Sequence, residues 1–154
     1  MNTEILTRDR FAVAQAMSRL LADSYLVYLK THGYHWNVKG PMFHSLHNLF
    51  MEQYTELWLA LDEIAERIRA LGMDAPCTHA KFSALSQIQD MACLPSAATM
   101  IGDLLQGQIQ IVQSAREVVL KAQKAQDDAT ADLATQRIGV HEKNAWMLRS
   151  FLHR

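Results

Sequence analysis

The chain has 154 residues, 49% hydrophobic and 20% charged, with a formal net charge of -1, so it is long enough to bury a core without disulfides. Its 15 Lys and Arg against 16 Asp and Glu leave no basic surplus, which weighs against a general nucleic-acid binder. Two cysteines and a polar start predict a cytoplasmic protein, and no stretch approaches the ~20 apolar residues that cross a bilayer.

Apolar residues recur at helical spacing in four long segments, which Gly, Pro and acidic residues separate. The predicted long helices cover about 5–35, 43–71, 97–125 and 130–152, with Ser96 as a cap, and a short helix covers about 82–90. No segment alternates with period two, so strands are not expected. The pattern predicts one all-α domain over 1–154, a four-helix bundle whose long crossover between the second and third long helices contains a short helix.

A metal pair inside this bundle is not expected. Bundles that hold two metal ions between their own helices use a Glu-x-x-His motif on each of two helices. None of the glutamates is followed by a histidine three positions later. A metal centre built from this chain therefore needs another arrangement of ligands.

Four of the seven histidines end the first long helix and begin the second: His32, His35, His44 and His47. Asp62 and Glu66 are four residues apart on the second helix and share a face. His47 and Asp62 would lie roughly 22 Å apart along that helix, so they cannot share a metal within one chain. They can share one if two subunits pair their second helices antiparallel about a two-fold axis, with His35 beside His47. Imidazole and carboxylate ligands together suit Fe, Zn or Mn.

These residues belong to motifs that resemble the Dps family of ferritin-like proteins over nearly the whole chain. The motifs are HWNVKGPMF at 35–43, a histidine at 47 and DEIAERIRALG at 62–72. The resemblance implies a dodecameric cage built on two-fold dimers that oxidises iron(II), preferably with hydrogen peroxide, and stores the ferric mineral. It implies that His35, His47, Asp62 and Glu66 are the iron ligands of a ferroxidase centre between subunits and that Trp36 lies beside it. Zinc is a candidate substitute for iron.

Met51 departs from the family, which usually has a carboxylate four residues after the second histidine. A thioether is a weak, soft ligand for iron. We therefore expect weaker iron binding, or firm binding of one ion only. A passive iron store with impaired oxidation is the alternative that this residue leaves open.

Other polar residues have two interpretations. Asp127, Asp128 and Asp132 either begin the last long helix, where acids are favoured, or line the three-fold pores of iron entry that the resemblance implies. His32 and His44 are expected to be solvated or to support the ligands. His141 falls on an apolar stripe, which favours a hydrogen-bonded interior histidine over a ligand.

DNA binding and compaction, which some Dps proteins perform, is the rival hypothesis. Those proteins often carry a lysine-rich N-terminal tail that contacts phosphates. Here the residues before the first helix contain no lysine, Arg8 and Arg10 are nearby, and the sequence ends with His153 and Arg154. We expect weak or absent DNA binding near neutral pH.

Overall fold

The computed structural model describes residues 7–153, which contain five α-helices and no strand. The helices are α1 (Thr7–Asn37), α2 (Phe43–Ala70), α3 (His79–Leu85), α4 (Ala97–Lys124) and α5 (Asp128–Ser150). In the bundle, α1 packs against α2 and α4, and α4 packs against α5. The short helix α3 lies on α1, within the connection between α2 and α4. The predicted all-α bundle with a short helix in its crossover is confirmed.

Local residues set the ends of the helices. Gly72 follows α2 with a φ of 88°, a left-handed conformation that glycine adopts without strain. The Ser96 hydroxyl accepts the Thr99 N–H at 3.3 Å, which confirms the predicted cap of α4. Thr78 caps α3 in the same way, so the short helix begins at His79 and ends before the predicted 82–90 segment does. Residues 5 and 6 of the first predicted helix lie outside the described residues.

Two clusters of buried apolar side chains form the core. One lies between α1, α2, α3 and α4, and it includes Met17, Leu20, Ile64, Phe82 and Ile111. The other packs the end of α1 and the start of α2 against α4 and α5, and it includes Tyr34, Leu46, Phe50, Leu104 and Leu148. This second cluster holds the junction of α1 and α2 between rigid helices. None of the described helices carries an apolar stretch long enough to span a membrane.

A buried carboxylate ties the crossover to the bundle. Asp23 of α1 is 1% exposed. It accepts hydrogen bonds from the Ser86 hydroxyl at 2.6 Å, from the Gln87 N–H at 2.9 Å and from the Ser114 hydroxyl of α4. One side chain therefore joins α1, the residues after α3, and α4.

Replacing this carboxylate should loosen the crossover. In Asp23→Ala the buried Ser86 hydroxyl loses its acceptor, and we expect the free energy of unfolding to fall by about 2–3 kcal/mol. Denaturant unfolding followed by circular dichroism measures the change. Asp74→Ala is the matched control, because the Asp74 side chain is 98% exposed and its replacement should be nearly neutral. Equal losses in the two variants would contradict the anchoring role.

Candidate metal centre

His35 and His47, called here the His35–His47 pair, stack where α1 ends and α2 begins. Their ring centroids lie 3.7 Å apart with an interplanar angle of 17°. The Nδ1 of each ring is 2.7 Å from the backbone carbonyl oxygen of the other residue. Because a carbonyl oxygen only accepts, each Nδ1 carries a proton, and in the neutral ring Nε2 is the nitrogen with the lone pair. The pair thus presents two imidazole nitrogens in the form that binds metals.

Aromatic rings surround the His35–His47 pair. The His32 ring lies 4.2 Å from the rings of both Trp36 and Tyr54, and Tyr54 is 5.2 Å from His35. Phe43 stacks on His47 at 5.0 Å. These contacts restrict rotation of the imidazoles. The His32 ring centroid lies 6.3 Å from that of His35, whereas His44 is exposed and Trp36 is 61% exposed.

Asp62 and Glu66 are exposed on one face of α2. Their neighbour Arg67 pairs instead with Asp127 at 2.7 Å, and Arg69 pairs with a surface aspartate beyond the helix. Within residues 7–153 neither Asp62 nor Glu66 takes part in an ion pair. Both carboxylates therefore remain open to a cation from outside the chain.

The chain does not bring these carboxylates to the His35–His47 pair. His47 and both carboxylates lie on α2, and its rise per residue separates His47 from Asp62 by roughly 22 Å. In the part of the chain that the structure describes, no three His, Cys, Asp or Glu side chains converge on a metal-sized site. A centre that uses all four predicted ligands requires a second copy of the chain.

Met51 occupies the helix position one turn after His47 and is 42% exposed. Residues four apart lie on one face of a helix, so the side chain beside His47 is a thioether. The adjacent Glu52 is exposed but points about 100° away around the helix. The residues of this chain thus fit iron at the imidazoles and lack a hard ligand beside His47.

The bundle centre holds a polar network instead of metal ligands. Arg137 is 5% exposed and donates to both carboxylate oxygens of Glu56 and, at 2.8 Å, to Nε2 of His141. Nδ1 of His141 donates to the Gln108 amide oxygen at 2.6 Å. The prediction of a hydrogen-bonded interior histidine is confirmed, and both of its nitrogens are engaged. Sequence reasoning missed Glu56, Gln108 and Arg137, although Arg137 lies one turn before His141 on the same face of α5.

Burial, and then the charge of Arg137, lower the pKa of His141 well below its usual range. As the pH falls below about 6.5, His141 therefore binds a proton in the unfolded chain but stays neutral in the folded chain. His141 should contribute its full stability above that pH and lose up to about 1.4 kcal/mol per pH unit below it. We expect His141→Gln to flatten the stability profile between about pH 6.5 and 5, measured by urea unfolding. His79→Gln, at an exposed position, should keep the slope.

The three acidic residues near α5 differ in their surroundings. Asp127 is 1% exposed and caps α5 by accepting the Thr130 N–H at 3.1 Å while it pairs with Arg67. Asp128 and Asp132 are exposed in the first turns of α5. The structure supports the helix-terminus interpretation for Asp127. Pore lining by any of the three stays a prediction, because such a pore forms between subunits.

Comparisons with known proteins agree with this fold. The family model for a ferritin-like domain matches residues 14–154. A low temperature-induced protein of Nostoc sp. is 39% identical over 154 residues, which cover 99% of this chain and 86% of that protein. DNA protection during starvation protein 2 of Bacillus anthracis is 36% identical over 141 residues, which cover 92% of this chain and 97% of that protein.

A solved structure gives the same result. The crystal structure of the Dps protein from Vibrio cholerae O1 matches with a TM-score of 0.92 and 31% identity, over 97% of this chain and 94% of that one. That protein is described as a member of a broad superfamily of ferritin-like diiron-carboxylate proteins. The chain belongs to the Dps family of ferritin-like proteins.

Proposed function

We propose that this chain is a single-domain miniferritin that oxidises iron(II) with hydrogen peroxide at centres between subunits and stores the ferric product. Twelve copies would form a cytoplasmic cage built on two-fold dimers, with the protection of the cell from oxidative stress as the outcome. The observation that carries the proposal is the His35–His47 pair, whose Nδ1 hydrogen bonds of 2.7 Å leave the Nε2 atoms available to a metal.

The exposed face of α2 supports the two-fold dimer. At 100° per residue, His47, Met51, Trp58 and Asp62 fall within about 60° around the helix. Trp58 is 58% exposed on this face, although a large aromatic side chain gains much from burial. When two such faces meet antiparallel about a two-fold axis, the His35–His47 pair of one chain meets the partner's carboxylates.

The imidazole ligands and the carboxylate ligands have different roles. The imidazoles of the His35–His47 pair bind and orient iron(II), and the hard anionic oxygens of Asp62 and Glu66 favour the more highly charged ferric product. Two iron(II) ions each give one electron to peroxide, whose O–O bond breaks, and two protons complete two water molecules. Paired electron delivery avoids the release of hydroxyl radical. With Met51 beside His47, firm binding of one ion and transient binding of the other is expected, and a passive store is the alternative.

Iron(II) oxidation tests the proposal. The assembled protein is titrated anaerobically with iron(II), peroxide is added, and ferric absorbance is followed. We expect oxidation at least tenfold faster than in protein-free buffer, and slower oxidation after preincubation with zinc, which accepts the same nitrogen and oxygen ligands. A rate equal to that of buffer would refute the ferroxidase activity.

We expect weak or absent DNA binding near neutral pH, because a chain with a net charge of -1 releases few counterions from DNA. Residues 1–6, part of the segment on which this expectation depends, lie outside the described residues. A mobility-shift assay at physiological salt makes the measurement, and a retarded band would contradict the expectation.

A further inference from the structure

We propose that Tyr28 supplies the second electron for the reduction of peroxide at a centre that holds one iron ion. The inference rests on the proposed function, which brings iron(II) and peroxide to the His35–His47 pair. With Met51 beside His47, firm binding of one ion is expected, and one iron(II) gives only one electron. Peroxide needs two electrons to become two water molecules. Without a second donor in the chain, the reaction would release hydroxyl radical.

Aromatic rings in contact lead from Tyr28 to the His35–His47 pair. The Tyr54 ring lies 5.2 Å from the His35 ring at an angle of 70°, and the Tyr28 ring lies 6.2 Å from the Tyr54 ring at 77°. Ring centroids about 4.5–7 Å apart are typical of aromatic side chains in contact. An electron from Tyr28 therefore crosses one intervening ring to reach an iron ligand. All of these contacts are made within one chain, so they do not depend on how the partner's carboxylates complete the centre.

The phenolic proton of Tyr28 has an acceptor beside it. A tyrosine that loses an electron becomes a strong acid and gives up this proton. The Tyr28 Oη lies 3.5 Å from Nδ1 of His32, and the two rings lie 5.7 Å apart. This nitrogen accepts the proton when the neutral imidazole carries its own proton on Nε2. Burial, and then the nearby phenols of Tyr25 and Tyr54, raise the pKa of Tyr28, so the phenol keeps its proton until it is oxidised.

The electrons and atoms of this reaction balance. Iron(II) and Tyr28 each give one electron to hydrogen peroxide, whose O–O bond breaks. The proton of Tyr28 moves to His32, two protons from solvent complete two water molecules, and a neutral tyrosyl radical remains. The next iron(II) gives one electron to that radical, and His32 returns the proton. Two iron(II) ions are then oxidised per peroxide, the same ratio as at a centre with two ions.

Freeze-quench electron paramagnetic resonance tests the donor. The assembled protein receives one iron(II) per centre without oxygen, then one peroxide per centre, and is frozen during the first turnover. We expect a tyrosyl signal that Tyr28→Phe, which lacks the phenolic O–H, lowers by about tenfold or more. Tyr34→Phe is the matched control and should keep the signal, because Tyr34 donates to Asp103 at 2.6 Å and lies off the path through Tyr54. Tyr54→Phe keeps the intervening ring and should also keep the signal.

A spin trap for hydroxyl radical gives a second measurement on the same reaction. The trapped adduct should increase in Tyr28→Phe and not in Tyr34→Phe. Trp36 is the competing donor, because its ring lies 4.2 Å from His32. A tryptophanyl spectrum in the parent protein, or equal tyrosyl signals in Tyr28→Phe and Tyr34→Phe, would overturn the inference.

Ferric absorbance of the same samples separates a failure of this inference from a failure of the proposed function. Rapid iron oxidation without a tyrosyl signal would overturn the role of Tyr28 alone. Oxidation no faster than in protein-free buffer would refute the proposed function and the role of Tyr28 with it.

Discussion

Mixing His47→Ala chains with Asp62→Ala chains should restore iron oxidation that each variant alone has lost. Each centre is proposed to combine the His35–His47 pair of one chain with the carboxylates of its partner, so either variant alone disables both centres of a dimer. A mixed dimer keeps one centre, which joins His47 of one chain to Asp62 of the other. Random exchange makes half of the dimers mixed, and we expect about one quarter of the parent rate.

The measurement is peroxide-driven ferric absorbance of the unfractionated mixture after subunit exchange, and two different affinity tags confirm that mixed dimers have formed. Mixing His35→Ala with His47→Ala is the matched control. Both imidazoles of a centre come from the same chain, so this mixture should stay inactive. Mixed dimers of His47→Ala and Asp62→Ala that remain inactive would rule out a centre shared in this way.

Local signals explain how far the fold could be predicted. Helical periodicity located the four long helices within a few residues, because Gly72 and Ser96 act on their own helix ends. The short helix was displaced from its predicted span, since the Thr78 cap that starts it is a weaker signal than its apolar residues. The attachment of the crossover through Asp23 could not be predicted, because its donors lie 63 to 91 residues away in sequence.

The candidate site, like the fold, could be predicted from the sequence only in part. The grouping of histidines at the junction of α1 and α2 predicted that His35 and His47 would lie close together. Their reciprocal hydrogen bonds depend on how closely the two backbones pack, which spacing does not encode. Asp62 and Glu66 have no ion pair with Arg67, because Arg67 pairs with Asp127 instead. That partner lies 60 residues away in sequence, so helix spacing could not predict it.

Arg137→Met should cause a large loss of stability without touching the proposed iron ligands. Arg137 is 5% exposed and holds Glu56 and His141 together across α2 and α5. Methionine fills much of the volume but leaves a carboxylate and an imidazole without their donor. Because Glu56 is 39% exposed and can be partly rehydrated, we expect a loss of about 2–4 kcal/mol rather than the full cost of a buried unpaired charge.

Denaturant unfolding of the parent and variant measures this loss. Arg116→Met is the matched control, because Arg116 and its partner Glu142 are 63% and 54% exposed and such a pair contributes about 0–1 kcal/mol. Adding Glu56→Leu to Arg137→Met should recover part of the loss, since removing both partners leaves no unpaired carboxylate. Equal losses in Arg137→Met and Arg116→Met would mean that the network adds nothing beyond a surface ion pair, and the bundle centre would then depend on its apolar packing alone.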